Sequence, residues 1–210
     1  LGRARRAVGP PEILVNDLRR EFGRKAFHML ALVYWGAYAY FGWPLTGKLL
    51  AAWLAVVLVV ETARLKVPAF KRFLGGLFEG MIRDAERDHY SGIVHTTAGS
   101  LGAMLIARGD ARIVGAAIAQ LAFGDAAAAL FGKAFGRTKI LGGSKSLEGS
   151  LAAFAVCYAV ALWCGVGARA ALASALVATL VELLPTTGFF NDNLWLPVSS
   201  AATLKLLLGR

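Results

Sequence analysis

The sequence predicts an all-α fold: a polytopic membrane helix bundle of about seven transmembrane helices, preceded by an interfacial helix. Three observations carry this. Of 210 residues, 57% are hydrophobic, too many for a soluble domain of this size, where roughly 45–50% is usual. The apolar residues gather into blocks that reach or approach the about 20 residues a bilayer-crossing helix needs. The basic residues, which bring the formal net charge to +10, stand between those blocks. No strand-like alternation runs through the blocks, and backbone groups in lipid must bond internally, so the blocks are helices.

Taken in order, the chain opens with a basic segment, residues 1–26, holding Arg3, Arg5, Arg6, Arg19, Arg20, Arg24 and Lys25. Over 12–28, Leu14, Leu18 and Phe22 recur every fourth residue, while Asp17, Glu21, Arg24 and His28 form a second stripe. At 100° per residue that stripe is about 60° wide, the pattern of a helix lying at the interface. The apolar blocks follow at about 27–43, 45–60, 93–107, 113–131, 151–168, 170–184 and 194–208, which makes 27–210 a single membrane domain. Gly99, Gly102 and Ala103 in the third block, and Gly124, Ala128 and Gly132 in the fourth, put small residues at helical spacing, which lets helices approach closely.

With seven spans, the connections 61–92, 132–150 and 185–193 share a side with the N-terminus. The first two carry Arg64, Lys66, Lys71, Arg72, Arg83 and Arg87, then Lys133, Arg137, Lys139 and Lys145. The positive-inside rule places that side, and any site on it, in the cytoplasm of a protein integral to the cell membrane. The turns on the other side are too short to build a site.

Several classes fall away. The basic runs interleave no aromatics as a base-stacking surface would, so their partners are expected to be lipid headgroups or a nucleotide rather than nucleic acid. Cys157 and Cys164 are seven residues apart in one block; about 10 Å of helical rise is too far for a disulfide. The start is basic, with no apolar core before Phe27, so no cleavable signal-peptide pattern is expected there. No GxxxxGK[ST] P-loop is present. The GVGARA at 165–170 imitates a dinucleotide fingerprint but follows an apolar helix, not a strand. The three histidines show no zinc-ligand spacing, and His89 and His95 read as structural.

The segments that carry chemistry lie on the predicted cytoplasmic side. Glu61 and Arg64 are three apart at the end of the second block; Glu79, Arg83, Glu86 and Tyr90 share one helical stripe. Such pairs either stabilise a helix locally or line a site. The most informative stretch is 120–154, QLAFGDAAAALFGKAFGRTKILGGSKSLEGSLAAF. Asp125 stands inside an apolar run, where a carboxylate is costly and marks a site. Gly124, Gly132 and Gly136 leave room beside the backbone, and Arg137, Lys139 and Lys145 offer cations for phosphate. The amides of Gly142, Gly143 and Ser144 could line an anion site. Ser146 and Glu148 open the fifth block at a helix N-terminus. Glu182 closes the sixth block, and in FFNDNLWLP (189–197) Asp192 or Asn193 either caps the last helix or faces Asp125 and Lys145.

These residues resemble the family of CTP-dependent membrane kinases that includes dolichol, phytol and farnesol kinases and a fungal diacylglycerol kinase. The likeness lies in REFGRKAFH (20–28), the Glu61/Arg64 and Arg83/Glu86 pairs, GDAAAALFGKAFGRTK with GSKSLEGSLAAF, Glu182 and NDNLWLP, in order over most of 20–200. The resemblance implies transfer of the γ-phosphate of CTP to a hydrophobic primary alcohol of isoprenoid type, with Mg²⁺. It implies that Asp125, Asp192 and Glu148 bind metal or act in catalysis, Glu148 alternatively orienting Lys145. Arg24, Lys25, Gly132, Arg137, Lys139, Lys145, Ser146 and Asn193 would form the nucleotide and phosphate surface. His28, Glu61, Arg64, Arg83, Glu86 and Glu182 would support it. Two other enzymes fit the same residues, a cytidylyltransferase making a CDP-lipid and a CTP-dependent diacylglycerol kinase. A small transporter fits less well, because the outer halves of the blocks are almost wholly apolar.

Overall fold

Every one of the seven apolar blocks forms a helix in the computed structural model of the chain, which describes residues 29–77, 88–140, 145–184 and 190–209. The described structure is 82% helical, so the fold is all-α. Its helices are α1 (Ala31–Phe41), α2 (Leu45–Lys66), α3 (Pro68–Leu77), α4 (Gly92–Ala107), α5 (Ala111–Phe135), α6 (Leu147–Trp163), α7 (Ala168–Leu183) and α8 (Asp192–Leu208). The interfacial stripe at 12–28 lies outside the described residues, and with it Arg24, Lys25 and His28. So do Arg83, Glu86 and the amides of 142–144.

Two helices, α2 and α5, are long and apolar enough to cross a bilayer by length and composition; α4 and α6 are apolar but shorter. The two long helices have opposite roles. The apolar window of α5 is 83% buried and that of α2 only 28%. Thus α5 is the axis of the bundle and α2 a flank whose Leu49, Trp53, Val56 and Val59 face outward. The core is built on α5, from Ile113 to Ala122, with Ala103 and Met104 of α4, Ala161 of α6, Ala171 of α7 and Leu204 of α8 around it.

Small residues set the spacing. A methyl group at Gly149 of α6 would meet the Ala128 carbonyl of α5 at 2.6 Å, and one at Gly99 of α4 would meet the Asn193 carbonyl of α8 at the same distance. That Asn193 carbonyl lacks its intrahelical donor, because Pro197 one turn on has no N–H. A polar tie crosses the middle: Gln120 Nε2 donates to the Cys157 carbonyl (3.1 Å) and to Ser174 Oγ (3.0 Å), joining α5, α6 and α7.

Three features depart from the sequence reading. The 61–92 connection contains α3. The axis helix has a π-helical turn at Gln120–Gly124, directly before Asp125. The loop after α5 contains a small antiparallel hairpin, β1 (Lys139–Ile140) with β2 (Lys145–Ser146), closed by Leu147 N–H to the Thr138 carbonyl at 2.9 Å.

Candidate functional site

One end of the bundle gathers the C-termini of α2, α5 and α7 and the N-termini of α4, α6 and α8. Contacts between elements fix this arrangement. Arg64 of α2 donates to the His89 carbonyl (2.6 Å), and Ser91 N–H donates to Glu61 (2.8 Å). The Lys145 ammonium of β2 reaches the C-terminus of α7, donating to the Glu182 carbonyl at 2.7 Å and to the Glu182 carboxylate. Helices α4 and α8 run side by side in the same direction, Gly99 against Asn193 near one end and Ala107 against Lys205 near the other.

Three carboxylates lie toward this end. Asp125 begins the helical turn after the π segment of α5 and is buried; Glu182 is buried in the last turn of α7; Asp192 lies in the first turn of α8. The charges of Asp125 and Asp192 both act on Glu182, and Lys145 is its cation. A π turn inside an α-helix is a common companion of functional sites. Here it lies between Gln120, tied to two neighbouring helices, and Asp125. Asn193 is buried next to Asp192. The cap of α8 is neither Asp192 nor Asn193 but Asn191, whose Oδ1 accepts from Asn193 N–H at 3.0 Å. Asp192 Oδ1 accepts from the same amide at 2.9 Å.

The remaining expected residues serve the frame of this cluster. Gly132, Gly136 and Gly149 bring α5 against the start of α6 around Ser146, which caps α6 by accepting from Gly149 N–H (3.2 Å). Glu148 accepts from Thr138 N–H through both oxygens (3.0 and 3.3 Å), which closes the base of the hairpin. Backbone amides, its own first and then that of Thr138, hold the Glu148 carboxyl below the usual carboxylate range. Arg137 and Lys139 are exposed on the same hairpin.

Glu61 and Arg64 form a buried bidentate pair, 2.9 Å at each contact, that holds residues 89–91 at the start of α4. It is a local clamp on the chain entering α4. His95 is tied to its own helix through the Ser91 carbonyl, 3.1 Å from Nδ1. Among the described residues no three His, Cys, Asp or Glu side chains form a group that could hold a metal ion.

The sequence reading missed an open groove between α7 and α8. It is lined by Val181, Leu184, Phe190 and Trp195, with Asn191, Asp192 and Ser199 also on its boundary. Its volume is about 130 Å³ and its lining is almost entirely apolar. Phe190 and Trp195 are the aromatic part, ring centroids 6.3 Å apart. The signal in the sequence was the spacing of Asp192, Trp195 and Ser199 on one stripe of α8, hidden by the uniform hydrophobicity around it.

Comparison of the chain with known protein families, with curated proteins and with solved structures gives no match.

Proposed function

We propose that the chain is a membrane-embedded lipid-alcohol kinase, moving the γ-phosphate of CTP to a long isoprenoid alcohol. The observation that carries this is the Lys145–Glu182 pair, within the electrostatic reach of Asp125 and Asp192, toward one end of apolar helices. Phosphoryl transfer asks for few covalent roles from a protein. It needs cations on the phosphates, carboxylates for a divalent ion and a group that orients the acceptor.

The donor set suits Mg²⁺, which is usually held by one or two carboxylates plus substrate phosphates and not by an all-protein cage. Asp125 and Asp192 would hold it, and a bound ion would neutralise phosphate charge. Lys145 binds phosphate on leaving Glu182, with Arg137 and Lys139 on the same hairpin. A carboxylate of the cluster takes the hydroxyl proton as the alcohol oxygen bonds to phosphorus and CDP leaves. The choice of CTP rests on the resemblance of GDAAAALFGKAFGRTK and GSKSLEGSLAAF to the kinase family.

In this reading all seven apolar helices cross the membrane, with the carboxylate end cytoplasmic, where nucleotide is available. The test uses purified protein, Mg²⁺, γ-labelled CTP or ATP, and phytol, geranylgeraniol, a polyprenol or diacylglycerol. Label in a lipid monophosphate is expected. Label only in pyrophosphate, with cytidine on the lipid, assigns a cytidylyltransferase instead. No nucleotide-dependent product from folded protein overturns both.

A further inference from the structure

Among the described residues an apolar recess lies between α7 and α8 with Asp192 on its boundary, and its size limits what enters. On α8, Asp192, Trp195 and Ser199 lie on one stripe, so the groove runs about 10 Å along the helix axis away from the carboxylate cluster. Ser199 Oγ is already bonded to the Leu196 carbonyl at 3.1 Å, so it asks for no other polar partner. A volume near 130 Å³ is under half of the roughly 300 Å³ at the lower end of ordinary small-molecule sites. That size suits a single narrow chain better than a helix or a branched headgroup. The groove also opens sideways. Leu184 in its wall continues a line of outward-facing leucines on α7, Leu180, Leu176 and Leu172, each about half exposed. A hydrocarbon chain leaving the groove meets that stripe and then lipid.

We propose that this groove seats the first few carbons of a single-chain long alcohol, with the hydroxyl at Asp192 and the rest of the chain lying along the α7 leucine stripe. The site therefore reads the end of the alcohol next to its hydroxyl and is indifferent to total length. The fate of the hydroxyl rests on the kinase reading; the seat of the chain rests on the groove's geometry.

The experiment separates the two. Full-length protein in lipid nanodiscs, without nucleotide, is irradiated with a twenty-carbon prenol carrying a diazirine beside the hydroxyl, or with the same prenol carrying it on the last isoprene unit. The first probe should mark Val181, Phe190 or Trp195, and the second Leu172, Leu176 or bulk lipid. Ser199→Phe, which fills the groove from α8, should cut labelling by the first probe roughly tenfold while leaving the melting temperature within a degree or two. Prenols of fifteen, twenty and fifty-five carbons should compete with the first probe equally, and diacylglycerol, whose ester arms flank its hydroxyl, should not. Labelling away from the groove, or none, overturns the seat even if phosphate is transferred. Labelling in the groove with no phosphate transferred upholds the seat and sinks the kinase. Competition that rises steadily with chain length, or equal competition by diacylglycerol, overturns selection at the hydroxyl end.

Discussion

The carboxylate cluster depends on side chains that the interior tolerates only for a reason. Asp125 is buried within the axis helix, where a charge is costly and usually functional. Asp125→Asn keeps the shape and removes the charge. It should abolish turnover while circular dichroism and melting temperature stay near those of the parent chain; near-normal activity would remove Asp125 from the mechanism. Lys145 has two tasks that can be separated. It holds the carboxyl end of α7 through the Glu182 carbonyl and carboxylate, and in the proposed reaction it holds phosphate. Lys145→Ala leaves the Glu182 carboxylate buried without this lysine, so a loss of ~1–3 kcal/mol in stability is expected, discounted because the lysine is part-exposed. Lys145→Ala with Glu182→Gln should recover most of that stability and none of the nucleotide use. The Michaelis constant for CTP should rise at least about tenfold in both variants, against no change in Lys66→Ala on the same basic side. Recovery of nucleotide use in the double variant would make Lys145 purely structural.

At the scale of elements, the packing of α5 on α6 and the cap of α5 give tests that leave the chemistry aside. A side chain at Gly149 drives into the Ala128 carbonyl, so Gly149→Val should destabilise by ~1–3 kcal/mol and loosen the hairpin that carries Lys145. Proteolysis near Arg137 or Lys139 would report it. At the other end of α5, Asp110 caps the helix by accepting from Arg112 N–H at 3.0 Å. The Arg112 guanidinium and then its amide hold the Asp110 carboxyl below the usual carboxylate range. A lowered pKa contributes stability above the unfolded value of about 3.9 and loses it as pH falls through the folded value. Asp110→Ala should therefore cost ~1 kcal/mol at neutral pH, with the two melting temperatures converging as pH falls through the lowered folded value; a constant gap would refute the cap. Much of this level was legible in the sequence. Hydrophobic blocks, Asp125, and the small residues Gly99 and Gly132 mark helices and close crossings by composition alone, while the close contact at Gly149 emerges only from the structure. The π turn, the 139–146 hairpin and the Asn191 cap were not legible. The first two depend on partners distant in sequence, Cys157 and Ser174 for Gln120 and Thr138 for Glu148; the Asn191 cap is local, through Asn193 N–H, but Asn191, Asp192 and Asn193 are three consecutive residues able to cap.

The whole molecule sorts its chemistry by ends. One end holds the Glu61–Arg64 clamp, Lys145 with Glu182, and the starts of α4, α6 and α8. The other holds Trp35 edge-on to Trp163 (5.7 Å), an exposed Tyr40, the Tyr38 hydroxyl on Gly109 N–H and the short turns with Arg108, Arg112 and Arg169. Aromatic residues at a helix end suit a membrane–water interface, and the outward leucines of α7 and the outward face of α2 suit lipid. If the bundle spans the membrane, the two ends lie in different compartments, and the excess of Lys and Arg around the first end makes it cytoplasmic. Single cysteines test this in a background where Cys157 and Cys164 are serine. Cysteine at Lys71 or Lys139 should react with an impermeant maleimide only in inside-out vesicles, and cysteine at Arg108 or Arg169 only in right-side-out ones. Lys71 and Lys139 labelled from opposite sides would break the seven-span arrangement, because an odd number of crossings would then separate α3 from the hairpin. All four labelled from both sides, with the protein in the soluble fraction, would mean that the apolar faces of α2 and α7 are covered by something other than lipid.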